Sequence, residues 1–79
     1  MNILSETKEI IASVLKMPVE QLNETDEMTD VKGWDSIRNV MILSKIEEHF
    51  DITFPSDDIF DLTSVKAIVE EIQKIIEHN

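Results

Sequence analysis

Three observations predict an all-α fold: a four-helix bundle with one very short helix and a long loop between the first two helices. Apolar residues recur at helical spacing in three stretches, Ile3 to Lys16, about Ser36 to Phe50, and Val65 to Ile76. Between the first two stretches, from Pro18 to Asp35, no helical period persists and turn formers take over. The composition is that of one small packed domain, residues 1–79: a single glycine, two prolines and 42% hydrophobic residues argue against disorder.

The first helix places Ile3, Leu4, Ile10, Ile11, Val14 and Leu15 on one face, with Thr7 filling the gap. Glu6, Glu9, Ser13 and Lys16 take the other face. Met17-Pro18 ends it, because proline disfavours helical angles in the residue before it. In the loop, Asn23, Thr25, Asp26, Thr29 and Asp30 form turns. Leu22, Met28 and Val31 are spaced apolar residues that pin the loop to the core, so it should be ordered. Trp34 is expected to anchor its end, since tryptophan is highly buried on average.

In the second helix Ile42, Leu43, Ile46 and Phe50 share one face and should be core. Ile37, Val40 and Met41 lie on the side shared with Ser44 and Glu48. An apolar patch rimmed by charge often marks a protein-binding surface, and that reading is preferred to packing under the long loop. Beyond Asp51, Ile52 and Phe54 should point into the core, and Pro55 to Phe60 reads as a brief helical turn with acids at its positive end. Thr63 or Ser64 can cap the last helix, along which Val65, Ile68, Val69, Ile72, Ile75 and Ile76 recur.

The stretch Lys32-Gly33-Trp34-Asp35-Ser36-Ile37-Arg38 stands where the loop meets the second helix. Gly33 suits a sharp turn. Asp35 is a good N-cap, because its carboxylate can accept unpaired N–H groups of the first helical turn. Ser36 then falls in that turn, with its hydroxyl facing water beside the positive end of the helix dipole. A phosphate ester is favoured there. No base is near in sequence, so Ser36 reads as the target of another enzyme rather than a self-activated nucleophile. A calcium loop starting at Asp26 fails, with Met28, Val31 and Ile37 where ligands and glycine are needed. His49 and His78 are too isolated for a metal site.

Gly33-Trp34-Asp35-Ser36-Ile37 resembles the attachment site of acyl carrier proteins, usually written Asp-Ser-Leu. The run Ile46-Glu47-Glu48-His49-Phe50-Asp51-Ile52 looks like the same family's glutamates, phenylalanine and aspartate. The likeness covers about Ile3 to Ile76. It implies that a phosphopantetheinyl transferase attaches 4′-phosphopantetheine from coenzyme A to Ser36, next to Asp35. It also implies that Ile37, Arg38, Val40, Met41, Glu47 and Glu48 meet partner enzymes. Asp57 and Asp58 are further acidic candidates. Carriers of primary fatty acid synthesis usually have an aspartate after Asp-Ser-Leu and a glutamate one turn on. Arg38 and Met41 stand in those places here, and Lys45 adds another positive charge.

Seven basic residues against seventeen acidic give a formal charge of −10. Such a surface repels nucleic acid and anionic membranes and attracts basic protein surfaces. The longest apolar run is Val40 to Leu43, too short for membrane insertion, and the N-terminus lacks a signal-peptide pattern. A free-standing cytoplasmic monomer is expected. With no cysteine in the chain, the arm's thiol would be its only thiol.

The resulting expectation is a non-catalytic carrier of acyl groups, held as thioesters, in a specialised acyl pathway. Its partners would be acyl- or aminoacyl-loading and acyl-transfer enzymes with basic docking surfaces. Two alternatives stand beside it: an aminoacyl or peptidyl carrier loaded by an adenylating ligase, and an unmodified acidic helical interaction module in which Ser36 is only part of a helix start.

Overall fold

The computed structural model describes residues 2–78. Three α-helices, α1 (Ile3–Leu15), α2 (Ser36–Phe50) and α3 (Val65–Glu77), form the body, with single 3-10 turns η1 (Val19–Gln21) and η2 (Ile59–Asp61) in the connections. Helix α1 packs against both α2 and α3. Among the described residues, no helix is long and apolar enough to cross a membrane.

Side chains set each helix start. Asn2 Oδ1 accepts the Ser5 N–H at 2.9 Å, Asp35 Oδ1 accepts the Arg38 N–H at 2.8 Å, and Ser64 Oγ accepts the Ala67 N–H at 3.1 Å. Each satisfies a backbone donor that the helix itself cannot. Helix α1 stops at Leu15, one residue before the sequence boundary, because Lys16 turns left-handed at φ 56°. The Met17 N–H then reaches back to Ala12 O at 3.0 Å. Helix α2 ends the same way: Asp51 sits at φ 56° and the Ile52 N–H bonds Glu47 O at 3.0 Å. Both ends close with backbone bonds to otherwise orphaned carbonyls, and Met17 and Ile52 pack against the core. The expected brief helical turn at Pro55 to Phe60 is a turn closed by Asp58 N–H to Pro55 O at 3.0 Å that runs on into η2, one residue past the expected end.

Ile11, Leu22, Ile42, Ile46, Val65, Ile68 and Ile72 are fully buried, one or more from every helix plus the loop. This shared stripe is what the helical spacing predicts. Phe50 and Ile52 are half-buried against it, and Phe54 is buried. The long loop is ordered: Leu22 is buried, Met28 and Val31 pack on the core, and Asp26 and Asp30 each accept a backbone N–H three residues back. It is also stitched to the start of α3. The Met28 N–H donates to Thr63 O at 2.7 Å and the Val65 N–H to Asp26 O at 3.1 Å.

Thr7 fills its place in the α1 face fully buried, yet its hydroxyl has no hydrogen-bond partner among the described residues. A buried hydroxyl without a partner costs free energy that an isosteric methyl does not. Thr7→Val is therefore expected to stabilise the domain by about 1 kcal/mol, read as a higher urea midpoint. An unchanged or lower midpoint would show that the hydroxyl is satisfied in solution.

Candidate functional site at the start of helix α2

Gly33 has φ +90° with no neighbouring atom near where a Cβ would stand, so backbone conformation rather than space requires glycine. The turn closes with Trp34 N–H to Val31 O at 3.1 Å. Trp34 is 4% exposed, so it is the loop anchor. Its indole N–H donates to Asn39 Oδ1 at 3.0 Å, and the Asn39 amide donates to Leu62 O at 3.0 Å. Asn39 is itself buried. Both residues therefore hold the helix start to the connection that leads into α3.

Asp35 is exposed and works with both oxygens. One caps the Arg38 N–H, and the other meets Arg38 Nη1 at 2.9 Å. The Arg38 backbone N–H, and then the charge and side-chain bond of its guanidinium, hold the Asp35 carboxyl below its ordinary value of 3.8, against an opposing push from desolvation. The unfolded chain thus takes up this proton at higher pH than the folded one. The stability Asp35 contributes is present above pH 3.8 and is lost as pH falls through its lowered value. Asp35→Ala is expected to lower the melting temperature at neutral pH, and the two proteins should converge well below pH 3.8. Parallel melting curves at every pH would remove Asp35 from the cap.

Ser36 is the first residue of α2 and is exposed. The first intrahelical bond is Asn39 N–H to Asp35 O at 2.8 Å. The N–H groups of Ser36 and Ile37 precede it and are open to an anion at this end. A phosphodiester on the Ser36 oxygen fits these surroundings: the helix N-terminus favours an anion there, and Arg38 offsets the charge of the neighbouring Asp35.

Around Ser36 lies an exposed apolar surface. Ile37 is 74%, Val40 62% and Met41 47% exposed, and Phe60 of η2 joins them at 87%. Sequence reasoning missed Phe60, whose signal was an aromatic residue among acids with no apolar partner at helical spacing. Ser36 also opens on a groove of about 190 Å³ between α2 and η2, lined by Met28, Asn39, Val40, Ile59, Phe60 and Thr63. A larger concavity of about 470 Å³ lies between α1 and α2 and contains none of these residues. Polar and charged side chains line most of it, including Glu6 and His49, which bond at 2.8 Å.

The two glutamates of α2 are not equivalent. Glu48 is exposed on the outer side. Glu47 is half-buried, and its Oε2 accepts the Phe54 N–H at 2.7 Å. Its carboxylate fixes the chain after α2, so a charge reversal there would alter folding as well as any docking. Lys45, Asp57 and Asp61 are exposed, and Asp58 is half-buried.

The family model described as "Phosphopantetheine attachment site" matches residues 5–72. Two Talaromyces marneffei sequences, each described as "Non-reducing polyketide synthase pks11", are 25% identical to the chain over 75 residues. That alignment takes in 95% of this chain and 3% of the length of those relatives.

Proposed function

Since the chain belongs to the phosphopantetheine attachment site family, whose members carry 4′-phosphopantetheine covalently, we propose that Ser36 is the attachment point. The observation that carries this is the exposed serine at the first position of α2, next to the capping Asp35 and inside the matched stretch. A phosphopantetheinyl transferase is the enzyme that acts on it. The Ser36 oxygen gives up its proton and forms the new phosphodiester, and adenosine 3′,5′-bisphosphate leaves coenzyme A. When bound, the arm supplies a terminal thiol that holds an acyl group as a thioester. The protein's own groups do no chemistry on that cargo. They hold the arm's root and present the surface of Ile37, Val40 and Met41 to the enzymes it visits.

The test uses the absence of cysteine. After incubation with a transferase and coenzyme A, a thiol titration should read one per chain and the intact mass should rise by one phosphopantetheine. A reading of zero with an active transferase would favour the unmodified interaction module.

Acyl rather than aminoacyl cargo is favoured by relatives described as polyketide synthases. A dedicated pathway rather than bulk fatty acid synthesis is favoured by the helix surface. Arg38 and Met41 stand exposed where carriers of that synthesis usually have acid, Arg38 also covers Asp35, and exposed Lys45 adds a further positive charge. A basic docking site built for an acidic helix meets less attraction here. Malonyl-loaded protein, offered to the condensing enzyme of a fatty acid synthase, is expected to turn over more slowly than that synthase's own carrier. Equal turnover would overturn the pathway reading.

A further inference from the structure

Among the described residues Asn39 is one of two buried polar ones, and it stands one helical turn from Ser36. Its side chain joins three separate segments. Oδ1 takes the indole N–H of Trp34, at the end of the long loop, and Nδ2 donates to the carbonyl of Leu62, which terminates η2. Its own backbone N–H closes the first turn of α2. The same residue lines the groove beside Ser36, with Val40, Ile59, Phe60 and Thr63. An aliphatic residue would fill this buried place without the cost of desolvating an amide, which is offset only when its bonds are made. What the amide adds is direction: two bonds of defined geometry rather than contact alone.

We propose that Asn39 is a positioning residue for Ser36, fixing the serine's turn against η2 and so setting where the hydroxyl stands beside the groove. The inference rests on the reading of Ser36 as the attachment point. Through Asn39, Trp34 and η2 act on the serine as one frame. Loss of the frame leaves the docking surface of α2 in place but lets the hydroxyl wander. The defect therefore falls on the chemical step rather than on binding of coenzyme A.

The discriminating variant is Asn39→Asp. It keeps an acceptor for the indole but sets a second acceptor against the Leu62 carbonyl. Arm attachment is followed by intact mass at several coenzyme A concentrations, with unsubstituted protein measured at every pH and folding checked by far-ultraviolet circular dichroism. The expected result is a kcat lower by about tenfold with KM for coenzyme A unchanged, and a red shift of Trp34 fluorescence. Lowering the pH protonates the introduced carboxyl and returns a donor to Leu62. The variant's kcat relative to unsubstituted protein should then recover, which general loss of stability would not produce. Folded variant protein modified at the unsubstituted kcat across the range overturns the proposal. Trp34→Phe removes only the indole donor and should cost about threefold in kcat. Should Asn39→Asp not fold, an unchanged kcat for Trp34→Phe overturns the proposal instead. If unsubstituted protein gains no mass, the reading of Ser36 fails, and this proposal with it.

Discussion

Ser36→Ala is expected to abolish arm attachment completely while leaving the fold in place. On the proposed attachment at Ser36 the hydroxyl oxygen forms the phosphodiester, and alanine offers no substitute, so the loss should be total rather than graded. Structure gives no reason for collapse. Ser36 is exposed, makes no capping bond of its own, and follows an Asp35 that caps the helix unaided. Alanine also suits a helical position at least as well as serine. Intact mass should show no gain after prolonged incubation with transferase and coenzyme A, and the melting curve should overlay that of the unsubstituted protein. Mass gain by the alanine protein would place the attachment elsewhere in the chain.

Ile46→Ala should have the largest effect on stability. Ile46 is fully buried at the middle of the α2 core face, beside Ile42 and Leu43. Removing its branched side chain loses the transfer free energy of the deleted carbons and leaves a cavity that α1 and α3 cannot fully close, at about 2–5 kcal/mol. A domain this small has a reserve of about 3–5 kcal/mol in total. The variant is therefore expected to be largely unfolded at 37 °C or to lose most of its urea midpoint, with an unchanged slope. Arm attachment should fail in proportion to the unfolded fraction. A midpoint shift worth under about 1 kcal/mol would mean the core relaxes into the space.

What could be read from the chain in advance followed from local rules. The stripe of Ile42, Leu43 and Ile46 needs only the helical period, and Asp35 as a cap needs only its place before an apolar run. Trp34 as an anchor follows from its size and apolarity. What escaped was whatever depends on a distant partner. The Asn39 amide bonds a carbonyl 23 positions away, and His49 bonds Glu6 across 43. Neither spacing carries a periodic signal. Glu47 looked like its neighbour Glu48, and only the path of the chain after α2 brings the Phe54 N–H to it. Phe60 escaped for a related reason: a helical turn expected at Pro55 to Phe60 gave no account of η2, which carries the ring into solvent. The anionic surface was legible as composition, but the masking of Asp35 by Arg38 is a matter of side-chain placement.

The stitching of the long loop to the start of α3 bears on the order in which the protein becomes usable during its own synthesis. The Asp26 carbonyl and the Met28 N–H find their partners at Val65 and Thr63. Translation delivers Ser36 well before those residues leave the ribosome. Until they emerge, the loop that leads into the serine has its local turns but not its tie to the start of α3, and the core lacks all of α3. Such long-range closure is the late and entropically costly part of folding. The serine turn is therefore fully tied down only once Thr63 and Val65 have emerged, so the order of synthesis itself sets the proposed loading of Ser36 after folding.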